Sequence, residues 1–471
     1  MNVRLYNTNN VSKKTKILVV AQNIEWRTIT DVSNKSFKKA DAFFDSTVSM
    51  LKNDPDYEIV TTYPVDNSLS GLKIIVDKRK SQKNIIHKPF EIYLSFDAWK
   101  KSQKANNYFN ELWGKINNSS SFNALIENTG INYSPLREKL SDYFLGIFGP
   151  IVQQIEMAKK LTESENPDLI LMQYEYGIFE LSLIVAGKKQ NIPVLAVQHG
   201  IITPSHDGYM HSKDELSTNG SIKSPYYPIP DITAVFGPYY NDILTNLSTY
   251  PENSVVVTGQ PRYDILYHAH EMYNKEQFLE RYNIPKNHKI VLWTTQCHAF
   301  SDEENNANSR AIFGALENLA DVTLILKQHP GEGEKYTDMI MDALKDYHIN
   351  VIILPRDSDT YEQLTVCDLL IVKKSTTAME AVALNKPVIV LNLSGKPDVI
   401  DYVEEGVALG VYKENDLSIA IEKLLKDDSE LADNRESYVG KYLYKIDGKS
   451  TERVVQLIKK MVDGKKDRNN T

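Results

Sequence analysis

Residues 369–391 read LLIVKKSTTAMEAVALNKPVIVL. Leu369 to Val372 is a short, unbroken apolar run, the pattern of a strand buried on both faces of a parallel sheet. Ser375-Thr376-Thr377 then opens a helical stretch from Ala378 to Leu384, and Val388 to Leu391 is the next apolar run. Strand, helix, strand is a right-handed crossover unit. In open α/β sheets the loops at the carboxyl ends of the strands line the ligand crevice. The hydroxyl cluster therefore stands where a ligand would sit.

Working outward, the same alternation continues on both sides. Apolar runs at Lys289 to Trp293, Val322 to Leu326 and Val351 to Leu354 predict further strands. Helical stretches at Ser309 to Leu319, Lys335 to Leu344 and Thr360 to Val366 lie between them, giving a doubly wound parallel sheet. Earlier in the chain, Lys16 to Ala21, Tyr57 to Tyr63, Asp168 to Met172, Val194 to Val197 and Ile232 to Phe236 predict a second sheet. A helical pattern runs from Phe37 to Leu51, and another from Leu136 to Leu161, where Pro150 predicts a break or kink. Helices are also expected over Phe179 to Lys189, Tyr239 to Leu247 and Leu417 to Leu425. The stretch 78–134 is polar with scattered aromatics and reads as an insertion. Ile201 to Pro230 reads as a long loop, a kind of segment that usually carries function. The expected division is two similar α/β domains facing each other, 16–258 and 259–430, with 431–471 crossing back as a helix and a basic tail.

The bulk composition agrees with that plan. A chain of 471 residues is too long for one ordinary core. With 42% hydrophobic and 25% charged residues it reads as a soluble globular protein. A net charge of −8 argues against general nucleic-acid binding, which needs a basic surface. Lys459-Lys460, Lys465-Lys466 and Arg468 form a local basic tail, suited either to solvent or to peripheral contact with an anionic membrane. Two cysteines, Cys297 and Cys367, give neither a disulfide framework nor zinc spacing, so a cytoplasmic location fits. Asn2 to Thr15 lacks an apolar signal core, and no run approaches the ~20 residues of a membrane span.

The chemistry-bearing residues fall at predicted strand ends. Gln198-His199-Gly200 follows Val194 to Val197, and histidine is the natural general base for an acceptor hydroxyl. Gly200 would let the backbone turn sharply. Glu175, after Asp168 to Met172, would sit beside His199 and orient it, bind the acceptor or act as the base itself. His329-Pro330 follows Val322 to Leu326; the imidazole could bond a phosphate and the proline fixes the turn. Thr294-Thr295-Gln296 ends the strand from Lys289. Ser375, Thr376 and Thr377 lie at a helix start, which suits phosphate, and Glu380 follows within reach of a ribose. Arg262 could pair with a phosphate or with Asp264. Each has a plainer reading: a buried histidine, a helix N-cap, a solvated carboxylate, a structural salt bridge. His206 and His211 join His199 in no compact metal-ligand pattern, so no metal is expected.

Over about Asp168 to Leu425 these motifs resemble the GT-B nucleotide-sugar enzymes, which have two facing Rossmann-like domains and a central cleft. Val257 to Leu266 (VTGQPRYDIL) and Ser375 to Leu391 both fit that pattern. CDP-glycerol glycerophosphotransferases carry a similar His-Gly element, an HP element and a serine pair; bacterial sialyl- and polysialyltransferases carry the last two. UDP-N-acetylglucosamine 2-epimerases are similar around Asn385-Lys386-Pro387-Val388, but have a glycine pair where Thr376 and Thr377 stand. The resemblance implies His199 as acceptor base, His329 and Ser375 to Thr377 on the donor phosphate, and Glu380 on the ribose. It implies a metal-independent glycosyltransferase taking a sugar from a CMP-, CDP- or UDP-linked donor, with no further cofactor. The acceptor would be a hydroxyl of a surface glycan, capsule or lipid-linked saccharide. Alternatives are an epimerase, a CDP-glycerol-type transferase, or a binding protein on a degenerate copy of the fold.

Overall fold

The apolar runs build two parallel sheets of the same topology. The structure, a computed structural model, describes residues 14–31, 36–65, 69–127, 134–216 and 227–470. In chain order the first half holds β1 (Thr15–Val20), β2 (Trp26–Asp31), β3 (Ser36–Asp41), β4 (Tyr57–Tyr63), β5 (Ile86–Pro89), β6 (Leu169–Met172), β7 (Val194–Val197), β8 (Ile232–Val235) and β9 (Val255–Val257). The second holds β10 (Lys289–Thr294), β11 (Val322–Lys327), β12 (Val351–Leu354), β13 (Leu369–Val372), β14 (Val388–Leu391) and β15 (Leu409–Val411). The first sheet runs β5-β4-β1-β6-β7-β8-β9 and the second β12-β11-β10-β13-β14-β15. Every pair in both is parallel. In each, the order reverses beside the first strand, the point where doubly wound folds bind ligands.

Continuous burial explains why these runs are strands. Ile17 to Val20, Leu169 to Met172 and Leu369 to Val372 are all at most 1% exposed, with helices covering both sheet faces. A side chain of this kind contributes about 1.5–3 kcal/mol when buried.

The regions without such runs depart from expectation. The stretch expected as one helix from Phe37 to Leu51 splits into β3, which pairs antiparallel with β2, and a helix over Asp45–Lys52. Asp41 makes the corner: its Oδ1 accepts from the backbone N–H of Phe43 and Phe44 at 3.0 and 2.9 Å. The stretch 78–134 is partly woven into the first domain, because β5 extends its sheet and helix Phe96–Asn117 packs on helix Phe148–Glu165. Between Ser134–Asp142 and Phe148–Glu165 the helix widens into a π turn at Tyr143–Ile147. Pro150 lies in the first turn after it.

The C-terminal helix Ser450–Asn470 packs Val454, Val455, Ile458 and Val462 against Ile17 and Val19 of β1. Asp264 holds its start, accepting from the N–H of Ser450 and Thr451 at 2.8 Å each. Gly259 (φ +76°) makes the turn between the two sheets; a Cβ there would lie 2.4 Å from Ser450 Oγ. In the basic tail, Lys459 pairs with Asp54 at 3.1 Å and Lys465 donates to Pro167 O at 3.2 Å. The side chains of Lys466 and Arg468, and residues 217–226 of the long loop, lie outside the described residues. No helix among the described residues is long and apolar enough to cross a membrane.

Candidate active site

The residues of interest gather at the two points where the strand orders reverse. In the first domain the chain leaves β1 through Gln22 and reaches Glu25, which is buried. His199, after β7, lies with Nε2 3.4 Å from Glu25 Oε1. Its ring stacks on Phe43 at 5.7 Å and meets the edge of Tyr174 at 5.6 Å. Burial pushes the Glu25 carboxyl up, but the His199 hydrogen bond and the charges of Arg27 and Arg262 outweigh it and hold the group at about 2. Glu25 is thus a permanent carboxylate behind a half-exposed imidazole.

Glu175 does not share this place. It is fully buried and accepts from Thr233 Oγ1 at 2.8 Å and Tyr250 OH at 2.6 Å. Burial raises its pKa to about 7 against those two bonds. Side chains alternate along an extended chain: Tyr174 turns toward His199 and Glu175 turns away. Gly200 likewise differs from expectation. It needs no left-handed backbone, and a Cβ there would meet nothing within 4 Å. Its carbonyl accepts from Gln198 Nε2 at 2.7 Å.

The second domain presents hydroxyls. Thr377 Oγ1 donates to Ser375 Oγ at 2.8 Å and lies 3.0 Å from Thr294 Oγ1, joining the ends of β10 and β13. Thr377 N–H also donates to Ser375 Oγ at 3.2 Å, while Thr376 at the cap position makes no side-chain cap bond. Thr295 is buried and donates to Glu332 Oε2 at 2.7 Å; Gln296 Oε1 accepts from Lys374 N–H at 3.3 Å. A shallow pocket lies between these strand ends, lined by Thr294, Gln296, Phe300, Asn308 and Lys373.

His329 follows β11, and Pro330 and Gly331 turn the chain so that Gly331 N–H donates to His329 Nδ1 at 3.0 Å. Burial, then the charges of His298, Lys327 and Arg27, lower its pKa to about 4. A neutral imidazole that accepts at Nδ1 carries its proton on Nε2. His329 is therefore a fixed donor.

The two halves are joined by charge. Arg262 Nη2 lies 3.5 Å from Glu380 Oε1, so its partner is Glu380, while Asp264 caps the last helix. Glu380 is buried; burial raises its pKa, opposed by Arg262 and Arg27. Arg27, from β2, pairs with Glu25 at 3.5 Å, and its charge also acts on Lys327 and His329 across the cleft. His199 and Arg27 thus contact Glu25, Arg262 contacts Glu380, and the charges of both arginines act on both carboxylates. Thr30 of β2 closes the same gap by donating to Asp359, and Tyr273 OH lies 3.0 Å from Thr30 Oγ1.

Glu25, Arg27 and Glu332 were not among the expected residues. The usable signal was position: Glu25 follows the first strand of its sheet, as Thr295 follows the first strand of the other. His206 packs on Tyr176 and Tyr209, and His211 on Tyr227, away from His199. Among the described residues no group of three His, Cys, Asp or Glu is arranged to hold a metal ion.

Comparison with known proteins bears on this cleft. The sequence model of a family described as CDP-Glycerol:Poly(glycerophosphate) glycerophosphotransferase matches residues 135–460. No curated protein matches. Among solved structures, the UDP-GlcNAc 2-epimerase of Neisseria meningitidis bound to UDP-GlcNAc is similar, with TM-score 0.57 and 14% identity over 95% of this chain and 100% of its own. So is S. aureus MnaA with UDP, with TM-score 0.56 and 13% identity over 95% and 97%. The wall teichoic acid polymerase TagF, in a variant form, gives TM-score 0.53 and 12% identity over 97% and 91%. At these identities the likeness is one of fold, and the fold is GT-B-like.

Proposed function

Because the chain belongs to the CDP-glycerol:poly(glycerophosphate) glycerophosphotransferase family, we propose that it transfers a polyol phosphate from a cytidine diphosphate-linked donor to a hydroxyl of a growing glycan or phosphate polymer. The observation that carries this reading is the His199–Glu25 pair facing Arg27, Arg262 and Glu380 in one cleft. The family match supports glycerol phosphate as the transferred group in place of the sugar expected from the cleft motifs. A sugar donor remains the competitor to test.

In this reading the acceptor hydroxyl gives its proton to Nδ1 of His199, since Nε2 faces Glu25. Its oxygen attacks the donor's β-phosphorus. The bond from that phosphorus to the bridging oxygen breaks, and CMP leaves with the electron pair. Glu25, ionised throughout, stabilises the imidazolium. Arg27 and Arg262 take up phosphate charge, His329 donates from Nε2, and Ser375 to Thr377 hold the donor in the pocket at β10 and β13. Arginines in this role suit metal-independent transfer, so a chelator should leave the rate unchanged. Exposed Leu69, Leu72, Phe96 and Trp99 would let the protein approach a lipid-linked acceptor from the side; sedimentation with anionic vesicles tests this.

The deciding experiment offers CDP-glycerol, a CMP-sugar and UDP-GlcNAc, each with and without a hydroxyl acceptor, and follows CMP, CDP, UMP or UDP release. CMP from CDP-glycerol, dependent on acceptor, is expected. Epimerised UDP-GlcNAc without acceptor would overturn the reading in favour of an epimerase.

A further inference from the structure

The donor side of the cleft holds a buried carboxyl to which the transfer step gives no task. Glu332 lies in the loop after β11, close behind His329, and is only 3% exposed. Burying a carboxyl is costly unless its oxygens are bonded. Thr295 Oγ1 donates to Oε2 at 2.7 Å, and Cys297 N–H donates to Oε1 at 2.6 Å. The backbone N–H of Glu332 donates to His329 O at 3.0 Å. These bonds tie the loop after β11 to the loop after β10, and a structural staple would account for them. It would not account for the third neighbour of the carboxyl, His298, whose Nδ1 lies 3.7 Å from Oε1.

His298 is carried by the single turn Cys297–Ala299. That turn is held from both sides: Glu332 takes the N–H of Cys297, and Asn305 Nδ2 donates to Cys297 O at 2.9 Å. Held so, it lays the His298 ring against the ring of His329, with centroids 4.5 Å apart and planes inclined at 38°. The His298 side chain keeps 40% of its surface exposed, so the pair lines the open crevice and not the core.

The other constraints on His329 converge on the same group. Its backbone N–H donates at 3.3 Å to Thr295 Oγ1, the hydroxyl that in turn bonds Glu332. Its Nδ1 accepts from Gly331 N–H at 3.0 Å. A ring held at one nitrogen can still swing about that bond; a second ring packed against it removes the freedom. Binding groups work best when their own rotamers are locked by packing and by hydrogen bonds behind them.

We propose that Glu332 and His298 are positioning residues of the donor side: together they fix the plane of His329, and so the direction from which its Nε2 meets the nucleotide phosphate. On the first-domain side Glu25 meets His199 directly. Here the carboxyl acts through a second imidazole and touches no substrate atom. That the nucleotide belongs to a polyol phosphate donor rests on the transfer reading above; the effect of the pair on nucleotide binding does not.

The test is a double-mutant cycle on the full chain, read by calorimetry as the affinity for whichever of CDP and UDP binds more tightly. CMP release from CDP-glycerol is followed beside it. His298→Ala should weaken nucleotide binding about tenfold, while His298→Phe, which keeps a ring, should stay within about twofold of the unaltered protein. In a His329→Ala background, His298→Ala should cost less than about twofold more, because no ring is left to hold. Glu332→Gln should likewise weaken binding only while His329 is present. Should Glu332→Gln fail to fold, Glu332→Asp, too short to keep all its bonds, is read the same way. Effects that multiply independently, or a His298→Phe as weak as His298→Ala, overturn the positioning role. Absence of binding to both nucleotides overturns it together with the transfer reading. If the cycle comes out as expected but CDP-glycerol yields no CMP, the transfer reading alone has failed.

Discussion

The two sheets share a strand order, yet the crevices at their reversal points carry different chemistry. The first domain supplies a charged, proton-handling pair, and the second a set of neutral donors. The histidines show the contrast best. His199 sets Nε2 against a carboxylate, 3.4 Å from Glu25 Oε1, and leaves Nδ1 free. His329 receives a backbone N–H on Nδ1 and is half-buried beside the positive charges of His298 and Lys327, so it stays neutral. One fold used twice yields a base on one bank and a holder on the other, because neighbours set what an imidazole does.

The largest effect that would sharpen this contrast is loss of the base. His199→Ala should lower acceptor-dependent CMP release about 10³-fold. Thermal stabilisation by CMP or CDP should persist, because the donor sits on the other bank. His329→Ala should do the reverse, weakening stabilisation by the nucleotide more than it lowers kcat. If both variants lose nucleotide binding equally, the division of labour is wrong. Glu25→Gln comes next. It preserves shape but removes the carboxylate behind the imidazole, and kcat should fall roughly 10²-fold with the donor KM unchanged. A rise in donor KM alone would place Glu25 on the phosphate rather than on His199.

Smaller again is the hydroxyl cluster. Ser375→Ala and Thr377→Val each remove one member of a chain of neutral hydrogen bonds running to Thr294. Each bond of this kind contributes about 1 kcal/mol net. The expected result is a rise in donor KM of about tenfold or less, with kcat nearly intact, read by initial rates.

How far this site could be read from the chain follows from the same contrast. The second bank was legible because each of its groups ends or follows an uninterrupted apolar run: Thr294 at the end of β10, His329 after β11, Ser375 after β13. The first bank was only half legible. His199 follows β7, but Glu25 lies in the turn before a hairpin and Arg27 on its first strand, and the hairpin strands WRTITD and SFKKAD are mostly polar and largely outside the core. Such strands leave no apolar run, and residues 37–41 were absorbed into an expected helix. Strand order was the other hidden quantity. That β1 lies beside β6 is set by crossovers distant in sequence, so the importance of the loop after β1 emerges only with the sheet assembled. Glu175 shows the limit of proximity: it follows a strand end as required, but alternation within Tyr174-Glu175-Tyr176 turns it inward to Thr233 and Tyr250.

That inward turn makes the last prediction. Glu25 and Glu175 are both buried carboxyls of the first domain, and they titrate in opposite senses. Glu25 is held at about 2, below its ordinary 4.5, so its contribution is present above 4.5 and is lost as pH falls toward 2. Glu175 is raised from 4.5 to about 7, so the folded state binds its proton more tightly than the unfolded chain. Its contribution is complete below 4.5 and is lost as pH climbs to 7, at most ~3 kcal/mol. Glu180, also raised to about 7 by burial, adds in the same sense. Between pH 5 and 7 the melting temperature of Glu175→Gln should therefore rise relative to that of the wild type, because the variant lacks the loss from Glu175. The same variant should change transfer less than twofold, because no substrate atom can reach a fully buried group bonded to Thr233 and Tyr250. A well-folded Glu175→Gln protein without transferase activity would reverse the assignment and return Glu175 to the chemistry of the first bank.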